Sequence, residues 1–198
     1  PCTESAIETK AYKKEDFGLD KNKKTVLIVM GSLGSSTVNK VLLDSLNEFY
    51  SKDYQVLIVT GKNYYEEYKK VIKNKNVIIK PYIDGLVGAI KFSDVLVTRA
   101  GATTLAEILG VKIPSILIPS PYVTENHQYK NAMSLVSKNA ALLIEEKNLS
   151  VEKLIKQIDY LMDDKNKYKE IKNNLGKIRV QNSLDRIYDE IVKLTDKK

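Results

Sequence analysis

The sequence predicts an α/β protein with one parallel sheet of about six strands and helices on both of its faces. Three observations predict it. Short apolar runs recur along the chain, and such runs are typical of strands buried on both faces. Segments with apolar residues at helical spacing alternate with these runs, as in βαβ units. Glycine or proline follows most of the runs and ends them.

The elements follow one another in a regular order. A polar segment at 1–24 comes first, and we interpret it as a lead-in or interdomain linker. Strands are predicted at 25–30, 54–59, 76–80, 94–98, 115–118 and 140–145. Helices are predicted near 38–49, 63–73, 84–91, 102–109, 126–138, 154–162, 166–176 and 180–195. The expected division is therefore a linker at 1–24, an α/β domain at 25–163, and helices at 164–198 that pack on the same domain.

Composition limits the function classes. The chain has 198 residues with 43% hydrophobic content, which suits one domain with a sizeable core or at most two small ones. Its net charge of +7 is spread along the sequence, whereas nucleic-acid binders concentrate basic residues in one stripe, so no nucleic-acid partner is expected. Attraction to an anionic membrane face or a phosphorylated ligand remains open.

Three further features concern the chain's setting. The single cysteine, Cys2, allows neither a disulfide framework nor a cysteine zinc site, and fits a reducing cytosol. No apolar run approaches the ~20 residues of a membrane span, and no signal peptide is recognisable. The chain begins with Pro1 rather than Met, which favours a piece of a longer protein.

The first candidate binding loop is "MGSLGSST" at 30–37, between the first strand and its helix. In such sheets ligands bind beyond the carboxyl ends of the strands. Gly31 and Gly34 permit close approach of a ligand to the backbone, and Ser32 and its neighbours offer hydroxyl groups. A helix start adds free N–H groups and a positive dipole end. The loop fits a diphosphate cradle, and it equally fits a tight turn with a serine N-cap.

The second candidate loop lies in "TRAGATTLAEILG" at 98–110. Gly101 and Ala102 leave the backbone bare at another helix start. Thr103 and Glu107 lie four residues apart on one helix face, away from the leucine stripe. A carboxylate at Glu107 could accept two hydrogen bonds from the paired hydroxyls of a ribose. The alternative is an exposed glutamate on the polar face of an amphipathic helix.

The third candidate loop is "PSPYVTENHQYKNA" at 119–132, which enters a helix near Asn126. His127 and Gln128 fall in the first helical turn. His127 is the only histidine and thus the candidate general base, but a capping or hydrogen-bonding role fits it as well. No Ser-His-Asp arrangement is identifiable, and no D-x-D motif is present, so neither a metal nor a cofactor is expected.

Together these loops resemble the MurG family of bacterial N-acetylglucosaminyltransferases. The matching segments come in the family's order: "VLIVMGSLGS" (26–35), "PYIDGL" (81–86), "SDVLVTRAGATTLAEI" (93–108), "PSILIPSPYVTENHQYKNA" (114–132) and "AALLIEE" (140–146). The resemblance covers one half of the family's architecture, which has two Rossmann-like domains in the GT-B arrangement. It implies that residues 25–163 form the Rossmann-like domain that binds the donor UDP-GlcNAc. The family often has an arginine where this chain has Thr3, so that role is not transferred.

The resemblance implies a role for each candidate residue. Gly31, Ser32 and Gly34 would lie at the diphosphate, and Ile83 would mark the segment whose backbone pairs with uracil. Ala102, Thr103 and Thr104 would line the ribose and phosphate region, and Glu107 would take the ribose hydroxyls. Gln128 would contact the GlcNAc ring, with His127 beside it. No catalytic residue is expected in this half.

The function implied by the resemblance is transfer of GlcNAc from UDP-GlcNAc to lipid I, which makes lipid II for peptidoglycan. The lipid acceptor would bind through an N-terminal domain outside this chain, so this half alone should be inactive. The implied location is the cytoplasmic face of the cell membrane, as a peripheral protein. Two alternatives remain: a stand-alone nucleotide-sugar-binding subunit that needs an acceptor subunit, and a related GT-B lipid glycosyltransferase or UDP-GlcNAc epimerase.

Overall fold

A computed structural model describes residues 2–31, 35–178 and 191–195 of the chain. Its six strands form one sheet in the order β3-β2-β1-β4-β5-β6, and every neighbouring pair is parallel. The predicted α/β class and the six parallel strands are therefore confirmed. The strands are β1 (Thr25–Val29), β2 (Gln55–Val59), β3 (Val77–Lys80), β4 (Val95–Thr98), β5 (Ser115–Leu117) and β6 (Leu142–Leu143).

Nine α-helices with defined bounds lie within the described residues. They are α1 (Cys2–Glu8), α2 (Ser36–Asp44), α3 (Leu46–Tyr50), α4 (Lys62–Val71), α5 (Leu86–Phe92), α6 (Ala102–Val111), α7 (His127–Val136), α8 (Val151–Asp163) and α9 (Lys165–Lys177). Most of the predicted helix at 180–195 lies outside the described residues, and 191–195 is helical. Helices α8 and α9 contact each other, and both bury apolar residues.

The central strands are short and apolar because both faces of the sheet are covered. All five residues of β1 and all five of β2 are buried, and Leu27 pairs with Leu57 across the ladder. A strand with one face in water would instead alternate polar and apolar residues. These buried runs are the part of the fold that the sequence predicts most directly.

The helix predicted at 38–49 is two helices, α2 and α3, separated at Ser45. The Ser45 hydroxyl donates a hydrogen bond to the Val41 carbonyl oxygen at 2.7 Å. Such back-bonding by serine competes with the helical backbone pattern and bends helices. Ser45 is buried, so its hydroxyl needs this internal partner, and apolar periodicity alone does not reveal the break.

The N-terminal segment is packed against the domain. Among the helices of the described residues, α1 and α6 form the most extensive contact. Further along, the Tyr12 hydroxyl donates to the Asp84 carbonyl oxygen at 2.8 Å, and the Tyr12 ring lies against Gly88 of α5. Residues 2–12 therefore cover α6 and the start of α5, a packing that the polar composition of 1–24 does not predict.

Gly110→Ala is expected to destabilise the fold by about 1–3 kcal/mol, because overpacking forces a tight interface apart. A Cβ at Gly110 would lie 2.7 Å from the Thr3 carbonyl oxygen and 2.9 Å from the Ala6 Cβ. Gly176 in α9 has nothing within 4 Å of an added Cβ, so Gly176→Ala is the matched control. It should stabilise by roughly 0.4–1 kcal/mol.

Urea unfolding of both variants measures the two changes. Equal effects of the two substitutions would show that α1 does not hold α6 as tightly as this packing requires.

Candidate functional site

The strand order reverses direction between β1 and β4, and the candidate site lies at that point. Chain connections leave β1 toward one side of the sheet and leave β4 toward the other, which opens a crevice at their carboxyl ends. Gly31 follows β1 with φ +83°, a left-handed conformation that favours glycine. Gly101 follows β4 in an extended conformation, with only an ordinary 3.7 Å contact to an added Cβ. The backbone conformation at residue 31 therefore favours glycine, whereas the conformation at residue 101 is accessible to any residue.

A cavity of about 730 Å³ occupies one side of this crevice. Its lining comes from the ends of β1 and β2, the loops that follow β2 and β3, and one face of α6. The lining residues are Val29, Gly31, Val59, Gly61, Lys62, Asn63, Pro81, Tyr82, Ile83, Leu86 and Glu107. The wall is mostly apolar, and Lys62, Asn63 and Glu107 supply its polar and charged groups. This composition is usual for small-molecule sites.

A second cavity of about 380 Å³ continues the first toward β5. The two share Val29, Gly31 and Leu86, so they form one cleft that runs along the carboxyl edge of the sheet. The other lining residues of the second cavity are Met30, Thr98, Arg99, Gly101, Thr104, Ser120 and Gln128. The cleft thus unites the loops after β1, β2, β3, β4 and β5.

Glu107 lies in the wall of the larger cavity. It is half-buried, and burial raises the pKa of its carboxyl group above the ordinary value. The α6 residues Leu105 and Ile108 beside it are buried in the core, which fixes the rotation of the helix and turns Glu107 toward the cleft. Glu107 is therefore a half-buried residue of the cavity wall and not an exposed glutamate on a solvated face, and its binding role stays a prediction.

Gln128 reaches the smaller cavity from the start of α7. Its Oε1 accepts a hydrogen bond from the Ser120 backbone N–H at 2.9 Å. Its side-chain nitrogen makes no hydrogen bond within the described part of the chain, so the two amide N–H donors remain for a ligand. Glu125 and Asn126 both have left-handed backbone, which is not helical, so α7 begins at His127. Asn126 makes no side-chain cap at this helix start.

Of the remaining predicted site residues, some line the cleft and others lie outside it. Ile83 and Thr104 line the cleft, whereas Ala102 and Thr103 are exposed at the start of α6 and line neither cavity. His127 is also exposed and outside both linings, and its Nδ1 lies 3.0 Å from the Thr124 carbonyl oxygen. Ser32 and Gly34 lie outside the described residues.

Two features of the cleft escape sequence reasoning. Lys62 and Asn63 begin α4 and line the larger cavity, although loop position was their only signal. Arg99 lines the smaller cavity and forms an ion pair with Glu146, with 2.6 Å between Arg99 Nη1 and Glu146 Oε2. The partners are 47 residues apart in sequence, and neither motif nor spacing connects them.

Two findings hold for the described ranges 2–31, 35–178 and 191–195. No three His, Cys, Asp or Glu side chains there are grouped as a bound metal ion would require. None of the helices there is long and apolar enough to span a bilayer.

The chain is similar in sequence and in fold to known proteins. Residues 25–187 match the family model described as Glycosyltransferase family 28 C-terminal domain. The chain is 40% identical over 188 residues, 93% of itself and 52% of the relative, to "UDP-N-acetylglucosamine--N-acetylmuramyl-(pentapeptide) pyrophosphoryl-undecaprenol N-acetylglucosamine transferase 2" of Bacillus thuringiensis (strain Al Hakam). It is 41% identical over 183 residues, 90% of itself and 50% of the relative, to the transferase of that name, without the numeral, from Bacillus subtilis (strain 168).

The chain spans about half the length of these relatives. Among solved structures, it superposes on MurG from Acinetobacter baumannii with a TM-score of 0.75 and 22% identity. That match covers 95% of this chain and 55% of the other, and at this identity it shows a shared fold.

Proposed function

The chain belongs to the glycosyltransferase family 28 C-terminal domains, and from that premise we propose that it is the donor-binding half of a UDP-GlcNAc-dependent N-acetylglucosaminyltransferase. The reaction would move GlcNAc from UDP-GlcNAc to lipid I and make lipid II for peptidoglycan. The names of the Bacillus relatives support this choice of donor and acceptor. The acceptor would bind to a second domain, and the whole enzyme would work as a peripheral protein at the cytoplasmic face of the membrane.

One observation carries the proposal: the carboxylate of Glu107 lies in a nucleotide-sized cleft at the switch point of the sheet. We assign the larger cavity to the uridine, with Ile83 at uracil and Glu107 at the ribose hydroxyls. A carboxylate accepts two hydrogen bonds, which matches the two adjacent hydroxyls of a ribose.

The rest of the donor follows from the direction of the cleft. Gly31, Ser32 and Gly34 would take the diphosphate, with Thr104 of the cleft wall facing it and Ala102 and Thr103 beside it at the exposed start of α6. The missing Cβ of Gly101 gives the ligand access to that helix start, where free N–H groups and the helix dipole favour negative charge. The GlcNAc would lie at Gln128, with His127 beside the sugar site.

The chemical contribution of this half would be electrostatic. Transfer with inversion needs a single displacement at the anomeric carbon, in which the acceptor oxygen bonds to the sugar and the bond to the UDP oxygen breaks. The negative charge that develops on the leaving diphosphate is stabilised by the helix starts around it. No nucleophile from this chain is required, and the proton of the acceptor would go to a base in the other domain.

Titration calorimetry of the purified chain tests the proposal. We expect binding of UDP and UDP-GlcNAc, with the same affinity in EDTA as without it. Loss of binding in EDTA would overturn the metal-independent assignment, and lack of any UDP binding would overturn the donor site. The same preparation should transfer no sugar to a lipid I analogue, and turnover that disappears in His127→Ala would instead make His127 the general base.

Gln128→Ala should leave UDP affinity nearly unchanged and weaken UDP-GlcNAc. The free amide N–H groups of Gln128 can pair with ring hydroxyls, and a donor epimeric at one hydroxyl would lose about 1–3 kcal/mol through imperfect pairing. The advantage of UDP-GlcNAc over UDP-GalNAc should therefore shrink in the variant. The measurement is the affinity of wild type and variant for all three ligands.

The control for Gln128→Ala is Ser134→Ala, an exposed position on the same helix. It should change none of the three affinities. If Gln128→Ala weakens UDP as much as UDP-GlcNAc, the residue belongs to the nucleotide site or to the support of Ser120, and the sugar assignment is wrong.

A further inference from the structure

A buried ion pair ties together the strand ends beside the cleft. The Arg99 and Glu146 side chains are 11% and 4% exposed, and the 2.6 Å contact between them joins the ends of β4 and β6. Arg99 Nη1 also donates to the Ile118 carbonyl oxygen at 3.0 Å, just after β5. Glu146 Oε2 has no partner in hydrogen-bond geometry among the described residues, so the contact with Arg99 acts chiefly through charge.

The other oxygen of Glu146 faces Ser35, the N-cap residue of α2. The Ser35 hydroxyl donates to Glu146 Oε1 at 3.5 Å and accepts from the Val38 backbone N–H at 3.4 Å, where it caps α2. On the opposite side, the Asn39 side chain donates to the Ser35 carbonyl oxygen at 2.9 Å. The buried Tyr68 hydroxyl donates to Asn39 Oδ1 at 3.1 Å and holds that amide in place. Ser35 is thus fixed from both sides, with a buried carboxylate next to it.

We propose that Arg99, which lines the cleft, is a positioning residue for the donor diphosphate, because it neutralises the Glu146 carboxylate that lies against Ser35 at the start of α2. The inference rests on the proposed function, which puts the diphosphate between the end of β1 and the start of α2. Arg99 acts through Glu146: it keeps a negative charge from facing a ligand group that is itself negative.

The electrostatic reason is the burial of the pair. Charges that water does not screen interact strongly over several ångströms, and a carboxylate without its partner would repel an incoming diphosphate. Neutral ligands that occupy only the uridine end of the cleft would not sense it. The effect of the pair on affinity should therefore rise with the charge of the ligand, from uridine to UMP to UDP.

Single substitutions in the two partners should act in opposite directions. Arg99→Met leaves the carboxylate unpaired and should weaken UDP binding by about tenfold or more, whereas Glu146→Gln leaves a positive charge and should tighten it by roughly three- to tenfold. Neither substitution should change the affinity for uridine. A pair that served only to hold the loops together would lose affinity in both variants, and for uridine as well as UDP.

The double variant Arg99→Met/Glu146→Gln removes both charges and should restore UDP affinity to near the wild-type value. An adjacent and much more accessible pair provides the matched control: Lys147 and Glu145, with side chains 73% and 38% exposed and 3.2 Å between Nζ and Oε2. Lys147→Met and Glu145→Gln make the same changes of charge in contact with water, where screening is strong, and should alter UDP affinity little.

The experiment is titration of wild type and these five variants with uridine, UMP and UDP, together with a thermal melt of each. Arg99→Met can fail to fold, because it leaves a buried charge unpaired; Glu146→Gln then decides the question alone. Weaker UDP binding by Glu146→Gln, or an equal change for uridine and UDP in either variant, overturns the inference. Wild type that binds no UDP refutes the proposed donor site instead, so the two failures are distinguishable.

Discussion

Replacing Glu107 with alanine is expected to weaken the binding of UDP and of UDP-GlcNAc by roughly ten- to hundredfold. A hydrogen bond to a charged group contributes about 1.5–3 kcal/mol, and the ribose would lose at least one. Both ligands share the ribose, so both should weaken by the same factor. Calorimetric titration of wild type and Glu107→Ala with the two ligands measures this.

The fold of Glu107→Ala should be intact. Burial raises the pKa of this carboxyl group, which means that the folded protein disfavours its charge, so removal of the carboxylate should not lower the melting temperature. The control is Glu66→Ala, which removes an exposed carboxylate from α4. Equal affinity in wild type and Glu107→Ala, with unchanged melting, would mean that the ribose lies elsewhere.

A pH series separates the carboxylate from the mere shape of its side chain. Wild-type affinity for uridine, which has no phosphate to titrate, should fall as the pH drops through the raised pKa of Glu107. The sign follows from the chemistry: the ionised form accepts two hydroxyl hydrogens, and the protonated form loses part of that capacity. Glu107→Ala should show no such fall.

Asn76→Ala is expected to lower the free energy of unfolding by about 2–4 kcal/mol, because buried carbonyls left without a partner are costly. The Asn76 amide nitrogen lies 2.8 Å from the Phe49 oxygen, 3.2 Å from the Lys52 oxygen and 2.7 Å from the Tyr54 oxygen. Its Oδ1 accepts from Lys23 Nζ at 3.2 Å. One side chain therefore holds together three segments: the end of α3, the loop before β2 and the turn before β1.

The control is Asn22→Ala, an exposed asparagine in the turn before β1. It should change the unfolding free energy by less than about 0.5 kcal/mol, as surface substitutions usually do. Urea denaturation of both variants gives the comparison. A small effect at Asn76 would show that water replaces its amide at the three carbonyls.

The sheet could be predicted from the sequence because burial on both faces leaves a local record. The run at 25–30 contains β1, and the run at 54–59 contains β2, each offset by one residue at most at either end. The weakest match is β6, where the predicted 140–145 shrinks to Leu142–Leu143 at the edge of the sheet. Ala140, Ala141 and Ile144 are buried without belonging to the strand, so apolar composition records burial and overestimates how far pairing extends.

The candidate site could be predicted only in part, because burial of a polar residue is decided by distant segments. The helical spacing around Glu107 fits both a solvated glutamate and a binding carboxylate, and only the loops after β2 and β3 turn that surface into a cavity wall. The ion pair of Arg99 and Glu146 depends on β4 and β6 ending at the same edge. Helix α1 was missed for the same reason: its polar sequence conceals a contact with α6 that Gly110 permits.

The order of the strands also determines how the chain can fold while it is being synthesised. Strand β1 pairs with β2 through residues 30 apart in sequence. Its other edge stays unpaired until β4 has been synthesised, because Val26 of β1 pairs with Val95 of β4. Thr98 follows Val59 by 39 residues, which is about 2–8 s of synthesis at ~5–20 residues per second. Throughout that interval β1 presents an open row of N–H and C=O groups on an apolar strand, the usual template for aggregation. Slower translation within residues 60–98 would lengthen this exposure, whereas a pause after β4 has paired would leave β1 protected.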